Sequence, residues 1–456
     1  MRELTIAQVA EAVQGKITGG EGNKLITSVV RDSREVTEGT LFVAIKGERV
    51  DGHDFINQVF DMGAAAVFCD HVPEDAKGPC ILVENTVEAL QNLAEWYRQT
   101  LNIKVVGITG SVGKTSTKQM VASVLGTYFN VLKTPGNFNN EIGLPLTIMM
   151  LNDDHEVAVL EMGISDFGEM SLLSRVAKPD ICVITNIGQS HMENLGSRDG
   201  ILRAKTEIFE SRKKDGPIFL NGDDDKLVTI TDVDGIKPIF YGFSESNNAR
   251  PENVNSLGLK GTKMDIVLGE KRFGASIKMI GNHMVANAVV AVAIGDYLGM
   301  PEEKIIEGLK EADTVAGRSH LIPYGEGFII DDCYNAAPTS MKAALDTLCL
   351  ADKGRRIAIL GDMFELGSDE ASMHKEMGLY AVSKEIDMII AVGVLSKNIY
   401  DGAKEGLSNK NIEIVYFKDI EECEAELLKY IKPGDNVLLK ASNGMNFKRL
   451  ISFLTE

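Results

Sequence analysis

Residues 104–115 read KVVGITGSVGKT. The apolar, β-branched run over 104–109 predicts a buried parallel strand. A glycine-rich loop follows, and then Met120, Val121, Val124 and Leu125 mark the apolar face of a helix. Strand, glycine loop and helix in that order build a phosphate cradle. Glycines let backbone N–H groups converge on phosphate oxygens, and the helix N-terminus adds positive potential. The candidate nucleotide-binding residues are therefore Thr109, Gly110, Ser111, Val112, Gly113, Lys114, Thr115 and Ser116. Lys114 suits the β/γ-phosphates and the Thr115 hydroxyl suits Mg²⁺. The strict pattern wants glycine where Ile108 stands, so this is a variant loop headed by Thr109-Gly110. A phosphate loop predicts a nucleotide and not a reaction. Kinase, motor, switch and ligase all remain open.

A chain of 456 residues predicts about three domains. Residues 1–100 open with a short amphipathic helix (Ile6, Val9, Ala10, Val13), then strand-like runs at 41–45 and 65–68, then a helix over 87–100. From 101 to 314 apolar runs at 157–160 and 181–185 alternate with helices, which argues for a parallel sheet wrapped by helices. The Asn/Ser/Gly-rich stretch 244–263 reads as a surface loop, and 281–299 as a helix with a glycine stop. A second α/β unit over 315–456 has strands at 328–330, 357–360, 388–392 and 437–439, with helices at 339–350 and 370–384. It lacks the GxGxxG fingerprint, because Gly325-Glu326-Gly327 is followed by Ile330 where the third glycine belongs, so no dinucleotide site is expected there.

Charge excludes some partners. The formal net charge is −19, which disfavours nucleic acid and anionic membrane surfaces. The six cysteines form no CxxC pair and suggest reduced thiols. No signal-like segment opens the chain and no apolar run is long enough to span a bilayer, so a cytoplasmic location is expected.

Three further residues fall at strand ends or in an apolar stripe. Glu161 closes the run VAVL at the edge where open α/β sheets bind ligands, and is either a Mg²⁺ ligand or a solvated loop glutamate. His191, in NIGQSHMENLG, occupies the same edge as a ligand, a hydrogen-bond donor or a core-satisfied histidine. Lys205 lies between Ile201 and Ile208 on a helix predicted over 197–209. Facing inward, its amine loses solvation and its pKa falls, and a neutral amine reacts with CO₂ to give a carbamate. The alternative is an ammonium that snorkels to water.

With these residues in view, the chain resembles the Mur ligases, the ATP-dependent amide-bond-forming enzymes of bacterial cell-wall precursor synthesis. Their loop has the form TGxxGKT, matched by Thr109–Thr115. The similarity runs over nearly the whole chain. It is carried by DSREVTEGTLFVAIKGERVDGHDF (32–55), GNFNNEIGLPLT (136–147), EMGISDFGEM (161–170), TNIGQSHMENLGS (185–197), DDCYNAAPTSM (331–341) and LGDMFELG (360–367). The first is shared with the ligase that adds the third amino acid. The central and last ones point to the member that adds D-alanyl-D-alanine.

The resemblance implies an α/β protein of three domains. These are a small α/β N-terminal substrate domain (1–100), a central parallel-sheet phosphate-loop ATPase domain (101–314) and a C-terminal Rossmann-like α/β domain (315–456). It implies ATP and two Mg²⁺ ions, with D-Ala-D-Ala joined to UDP-N-acetylmuramoyl-tripeptide through an acyl phosphate by a monomer. Thr115 and Glu161 would bind one Mg²⁺, and His191 and carbamylated Lys205 the second. His283, Asn287, Arg318, Asp332, Tyr334 and Asn335 would surround the nucleotide. Ser33, Arg34, Lys46 and Asp51 would hold the UDP end, and Asn139 and Asn140 the sugar-peptide part. Two departures stand out: Ala337 replaces an asparagine of the family's YNANP loop, and Asn443 stands where arginine is common. The competing readings are a related ligase (the third-residue-adding enzyme or a folate polyglutamate synthase) and a nucleotide-binding switch that performs no ligation.

Overall fold

The computed structural model of the protein describes residues 1–407 and 411–455. Three sheets organise the chain, together with a two-stranded ribbon of Leu4–Thr5 and Leu25–Ile26. The first has the order 16–18, 80–82, 66–69, 40–43, 28–30, parallel except at its first junction. Ser33-Arg34, Lys46–His53 and Asp70-His71 all follow the carboxyl ends of its parallel strands.

The central sheet has nine strands. Lys104–Thr109 lies in its interior between Val157–Glu161 and Ile181–Ile184, and every pairing from Val131–Lys133 across to Ala249–Ser256 is parallel. That common direction places Thr109, Glu161, Thr185 and Asn221 along one sheet edge. The helix Lys114–Gly126 packs on Asn282–Tyr297 through a buried cluster that includes Val121, Val124, Val289, Val290 and Ile294. Each such side chain contributes about 1.5–3 kcal/mol on burial. On its other flank the helix meets Glu302–Glu311, where a Cβ at Gly308 would lie 2.4 Å from Val124 Cα. The loop is thus mounted on a helix held from two sides.

The expectation of a loop over 244–263 is corrected. Ala249–Ser256 and Thr262–Leu268 are strands, paired antiparallel with a register shift between Glu252 and Asn255. The Asn/Ser composition is explained by exposure: Asn253–Ser256 project beyond the core, so no apolar alternation marks them.

The third sheet runs 320–324, 327–331, 436–440, 356–361, 388–392, 413–417, parallel apart from its first hairpin. Gly325 takes φ +64° in the turn of that hairpin. Gly325 therefore serves a tight turn, for which left-handed backbone favours glycine, whereas at Gly327 a Cβ would fall 2.2 Å from Asp435 O. Two strands, His320–Tyr324 and Glu413–Phe417, lie outside the runs read from the sequence, although Ile414–Phe417 is β-branched and aromatic throughout. Among the described residues no helix is long and apolar enough to cross a membrane.

Candidate active site

The phosphate loop is built tightly. A Cβ at Gly110 would fall 1.9 Å from Thr185 Oγ1, whereas Gly113 (φ +85°) faces open space. The segment after the neighbouring strand pins the loop. Thr185 Oγ1 donates to Val112 O (2.6 Å), Val112 N to Asn186 Oδ1 (2.9 Å) and Gly188 N to Ser111 Oγ (2.9 Å). Lys114 folds back so that its Nζ donates to Gly110 O at 2.8 Å. Burial lowers the pKa of this ammonium, Glu161 works against the shift, and Arg318 adds to it.

Glu161 is 2% exposed at the end of its strand. Its Oε1 accepts from Thr115 Oγ1 (3.1 Å) and Asn139 Nδ2 (2.9 Å). Lys118 Nζ stands 3.0 Å from Oε2 as an ion pair, yet Oε2 accepts no well-angled hydrogen bond. Burial opposes the Glu161 charge, but Lys118 and Lys114 outweigh it, and the carboxyl titrates below its usual range. Thr115 and Glu161 thus form a hard oxygen pair with an unsatisfied lone pair, a donor set that suits Mg²⁺.

Around this pair lies a cavity of ≈ 440 Å³ lined by Lys114, Thr115, Asn139, Asn140, Glu161 and His191, with Arg318, Tyr334 and Asn335 from the C-terminal side. A second cavity of ≈ 160 Å³ adjoins it through Val112, Gly113 and Arg318. Its wall includes Ser116, His283, Asn287, Asp332, Tyr241 and Lys440. The first suits phosphates and a carboxylate. The second, with Tyr241, Met284 and Ala344 in its wall, suits a base.

Arg318 joins the two halves. Its guanidinium lies 4.1 Å from the Tyr334 ring centroid, its Nη2 donates to Thr115 Oγ1 at 3.4 Å, and its buried Nε has no hydrogen-bond partner among the described residues. An unsatisfied guanidinium donor facing the phosphate loop is fitted to a phosphate oxygen. Asp332 accepts from Ser319 N (2.9 Å) and pairs with buried Lys440 (2.6 Å). Asn287 Oδ1 accepts from Thr117 Oγ1 at 2.9 Å.

His191 takes left-handed backbone (φ +60°) and its Nδ1 lies 2.8 Å from Glu365 Oε2 of the C-terminal sheet's loops. Its pKa is lowered first by burial and further by Lys114 and Lys205, with Glu365 opposing. A neutral imidazole is the ligand form. Lys205, on the helix Arg198–Thr206, is 1% exposed between Ile201 and Ile208. No hydrogen bond or ion pair engages its Nζ among the described residues. Burial, with Lys114 adding, holds its pKa well below the ordinary lysine value. A buried amine with a lowered pKa and no partner among the described residues fits carbamate formation better than snorkelling. Lys205 does not line the larger cavity itself.

The four candidates of the first sheet stand apart from both cavities. Arg34 is exposed and engages Asp32, and Lys46 bridges to Asp51 through the backbone. Asp51 receives His53 Nδ1 at 2.7 Å and caps the turn Gly52–Phe55. His53, Asp70 and His71 have metal-ligand spacing, but the two imidazoles stack at 4.5 Å and 20°, so their planes do not converge on one ion.

Four functional side chains escaped the sequence reading: Lys118, Asn186, Lys440 and Glu365. Lys118 carried a signal, since it follows Lys114 by one helical turn. Lys440 carried another, a lysine closing the apolar run 437–439. Asn186 and Glu365 act through contacts distant in sequence. Ala337 is buried and precedes the helix Pro338–Leu348, and Asn443 begins the short turn Asn443–Met445.

Comparison with known proteins gives three consecutive family matches: the "Mur ligase family, catalytic domain" over 25–98, the "Mur ligase middle domain" over 108–295 and the "Mur ligase, glutamate ligase domain" over 317–443. A UDP-N-acetylmuramoyl-tripeptide–D-alanyl-D-alanine ligase of Bacillus subtilis is 40% identical, covering 100% of this chain and 99% of the relative. A crystal structure of MurF from Acinetobacter baumannii superimposes with TM-score 0.90 at 30% identity and covers 100% of both chains. The MurF ligase of Thermotoga maritima, solved in complex with ADP, gives TM-score 0.82 at 30% identity over 94% of this chain and 96% of that one.

Proposed function

The chain belongs to the Mur ligase family, and from that premise we propose how its own residues divide the reaction. It is an ATP-dependent ligase that adds D-alanyl-D-alanine to UDP-N-acetylmuramoyl-tripeptide in peptidoglycan synthesis. The observation that carries the division of roles is the larger cavity, where Lys114, Glu161, His191 and Arg318 face one space.

The tripeptide carboxylate attacks the γ-phosphorus of ATP, ADP leaves, and an acyl phosphate forms. The amine of D-Ala-D-Ala then attacks the acyl carbon, loses a proton, and phosphate departs. Activation as an acyl phosphate exchanges an oxide leaving group for phosphate, so no protein nucleophile is required. Lys114 leaves the loop carbonyls for the β/γ-phosphates, and Arg318 offers its unpaired Nε–H to the same charge. Thr115 and Glu161 would hold one Mg²⁺, and His191 with a carbamate of Lys205 a second. When bound, these ions neutralise the transferring phosphoryl group and the substrate carboxylate. Asn139 keeps Glu161 oriented and Asn140 lines the same wall. His283, Asn287, Asp332, Tyr334 and Asn335 receive the rest of the nucleotide. The N-terminal domain, 1–100, takes the UDP end through Ser33, Arg34, Lys46 and Asp51. The central domain spans 101–314 and the C-terminal domain 315–456, and their approach excludes water from the acyl phosphate.

A single chain supplies both cavities, so a monomer suffices. All six cysteines are free, which accords with work in a reducing cytoplasm. Phosphate release with MgATP, adding UDP-muramoyl-tripeptide and D-Ala-D-Ala separately and together, tests the reading. Phosphate appears only with both, beside a UDP-muramoyl-pentapeptide mass. Turnover indifferent to D-Ala-D-Ala would discard it.

A further inference from the structure

The loop 362–367 of the C-terminal domain is pinned from several directions. Met363 N donates to His374 Nε2 (2.9 Å), and the fully buried His374 is fixed by a 2.6 Å contact of Nδ1 with Glu370 O. Phe364 N donates to Ser442 Oγ at 2.9 Å. Asp362 accepts from Ser396 N (2.7 Å) and Ser396 Oγ (2.6 Å), and its carbonyl from Ser442 N (3.0 Å). The outcome of this bracing is one side chain aimed out of its own domain. Glu365 has left-handed backbone (φ +62°) and a side chain 60% exposed, and its ion-pair partner is His191 of the central domain. His191 is itself left-handed, at φ +60°. Two non-glycine residues in a sparsely populated conformation thus meet at 2.8 Å across the domain gap.

We propose that Glu365 is a positioning residue for ligation: from the C-terminal domain its carboxylate contact orients the His191 imidazole, so that Nε2 is offered to a divalent cation when the two domains are together. The inference rests on the reading of His191 as a metal-holding residue. A metal-binding histidine whose second ring nitrogen faces a carboxylate is the usual device for fixing tautomer and orientation. Here the carboxylate comes from the far side of the gap, as does Arg318 on Thr115. Both metal-holding groups are therefore touched by the domain that arrives with closure, which couples cation binding to closure.

The test uses the full chain and the variants Glu365→Ala and Glu365→Gln, with Glu376→Ala as an exposed control from the same domain. Mn²⁺ binding in the presence of a non-hydrolysable ATP analogue is measured by the spin-resonance signal of free ion. The Mg²⁺ dependence of phosphate release and the KM for D-Ala-D-Ala are measured beside it. Glu365→Ala weakens Mn²⁺ binding at the second site and raises the half-saturating Mg²⁺ about tenfold or more. Glu365→Gln, which keeps a neutral acceptor, lies between, and the KM for D-Ala-D-Ala stays constant. Unchanged Mn²⁺ binding in Glu365→Ala overturns the proposal. So does a rise confined to the KM for D-Ala-D-Ala, which would make Glu365 a dipeptide contact. If the unsubstituted protein shows no amine-dependent phosphate release, the functional reading falls, and the Mn²⁺ comparison still decides the role of Glu365.

Discussion

Lys205 in the central domain and Lys440 in the C-terminal domain are both buried almost completely, and their surroundings are opposite. Lys440 is 2% exposed and fully met: Asp332 Oδ2 at 2.6 Å, Asn335 O at 3.0 Å and Asp332 O at 3.3 Å. Lys205 is 1% exposed, and among the described residues no hydrogen bond or ion pair meets its Nζ. A buried ammonium without partners is costly, and the group responds by becoming neutral. The difference separates two uses of burial. The charge of Lys440 is retained and organises the loop 332–335 at the nucleotide cavity. The charge of Lys205 is disfavoured, with Lys114 adding to the effect of burial.

The largest effect expected is at the satisfied lysine. Lys440→Met strands the Asp332 carboxylate in a dry setting and lowers the stability of the C-terminal domain by about 3–5 kcal/mol. The double variant Lys440→Met/Asp332→Leu recovers most of that loss, because removing both charges removes the desolvation term. Urea unfolding followed by circular dichroism reads both. A double variant no better than the single would break the claim that Lys440 is held by its pair.

Lys205→Ala leaves the fold intact and lowers ligation on the order of 10²–10³-fold, the scale for losing one preorganised charge at a transition state. A short carboxylic acid added to the variant restores part of the rate. The unsubstituted protein, prepared with ¹³C-bicarbonate, shows a carbamate carbon resonance that the variant lacks. Failure of both rescue and resonance would reduce Lys205 to a packing residue.

Stability against pH separates the lysines further. The folded pKa of Lys205 is lowered well below its unfolded value of 10.5. Between the two values the unfolded chain binds more protons, so stability rises with pH across that window and levels above it. In CO₂-free, metal-free buffer Lys205→Met is therefore more stable than the parent by about 1–3 kcal/mol near neutrality, and the advantage disappears as pH passes 10.5. An advantage independent of pH would mean that the lysine stem, and not its charge, is what the site disfavours.

The contrast also explains which parts of the molecule were legible in the sequence. Lys114, Glu161 and Lys205 are written locally, as a loop motif, a strand end and a position in an apolar stripe. Each can be read from a handful of neighbouring residues. Asn186, Arg318 and Glu365 act through partners that other segments deliver, Val112, Thr115 and His191, and no local period encodes those meetings. The strand Ala249–Ser256 was hidden for a related reason, since backbone pairing holds it without an apolar face. Glycines 325 and 327 are legible as a failed dinucleotide signature, but only the hairpin of 320–324 with 327–331 and the close approach of Asp435 O to residue 327 explain why they are there.

The smallest effect sharpens the comparison from outside the core. Lys342 and Glu376 join the helices Pro338–Leu348 and Glu370–Ser383 with the same 2.6 Å separation as Lys440 and Asp332, but with side chains 37% and 56% exposed. Identical distance with different burial isolates the solvent's share. In water-like surroundings the Coulomb gain is screened and offset by the entropy of holding two long side chains, so Lys342→Ala changes stability by under ~1 kcal/mol. Raising the salt from about 0.05 to 0.5 M should erase that difference and leave the Lys440→Met loss nearly unchanged, because a dry pair lies beyond the reach of the ion atmosphere. If both respond equally to salt, the nucleotide cavity is wetter than its walls suggest, and the distinction between a retained and a suppressed charge would rest on Lys205 alone.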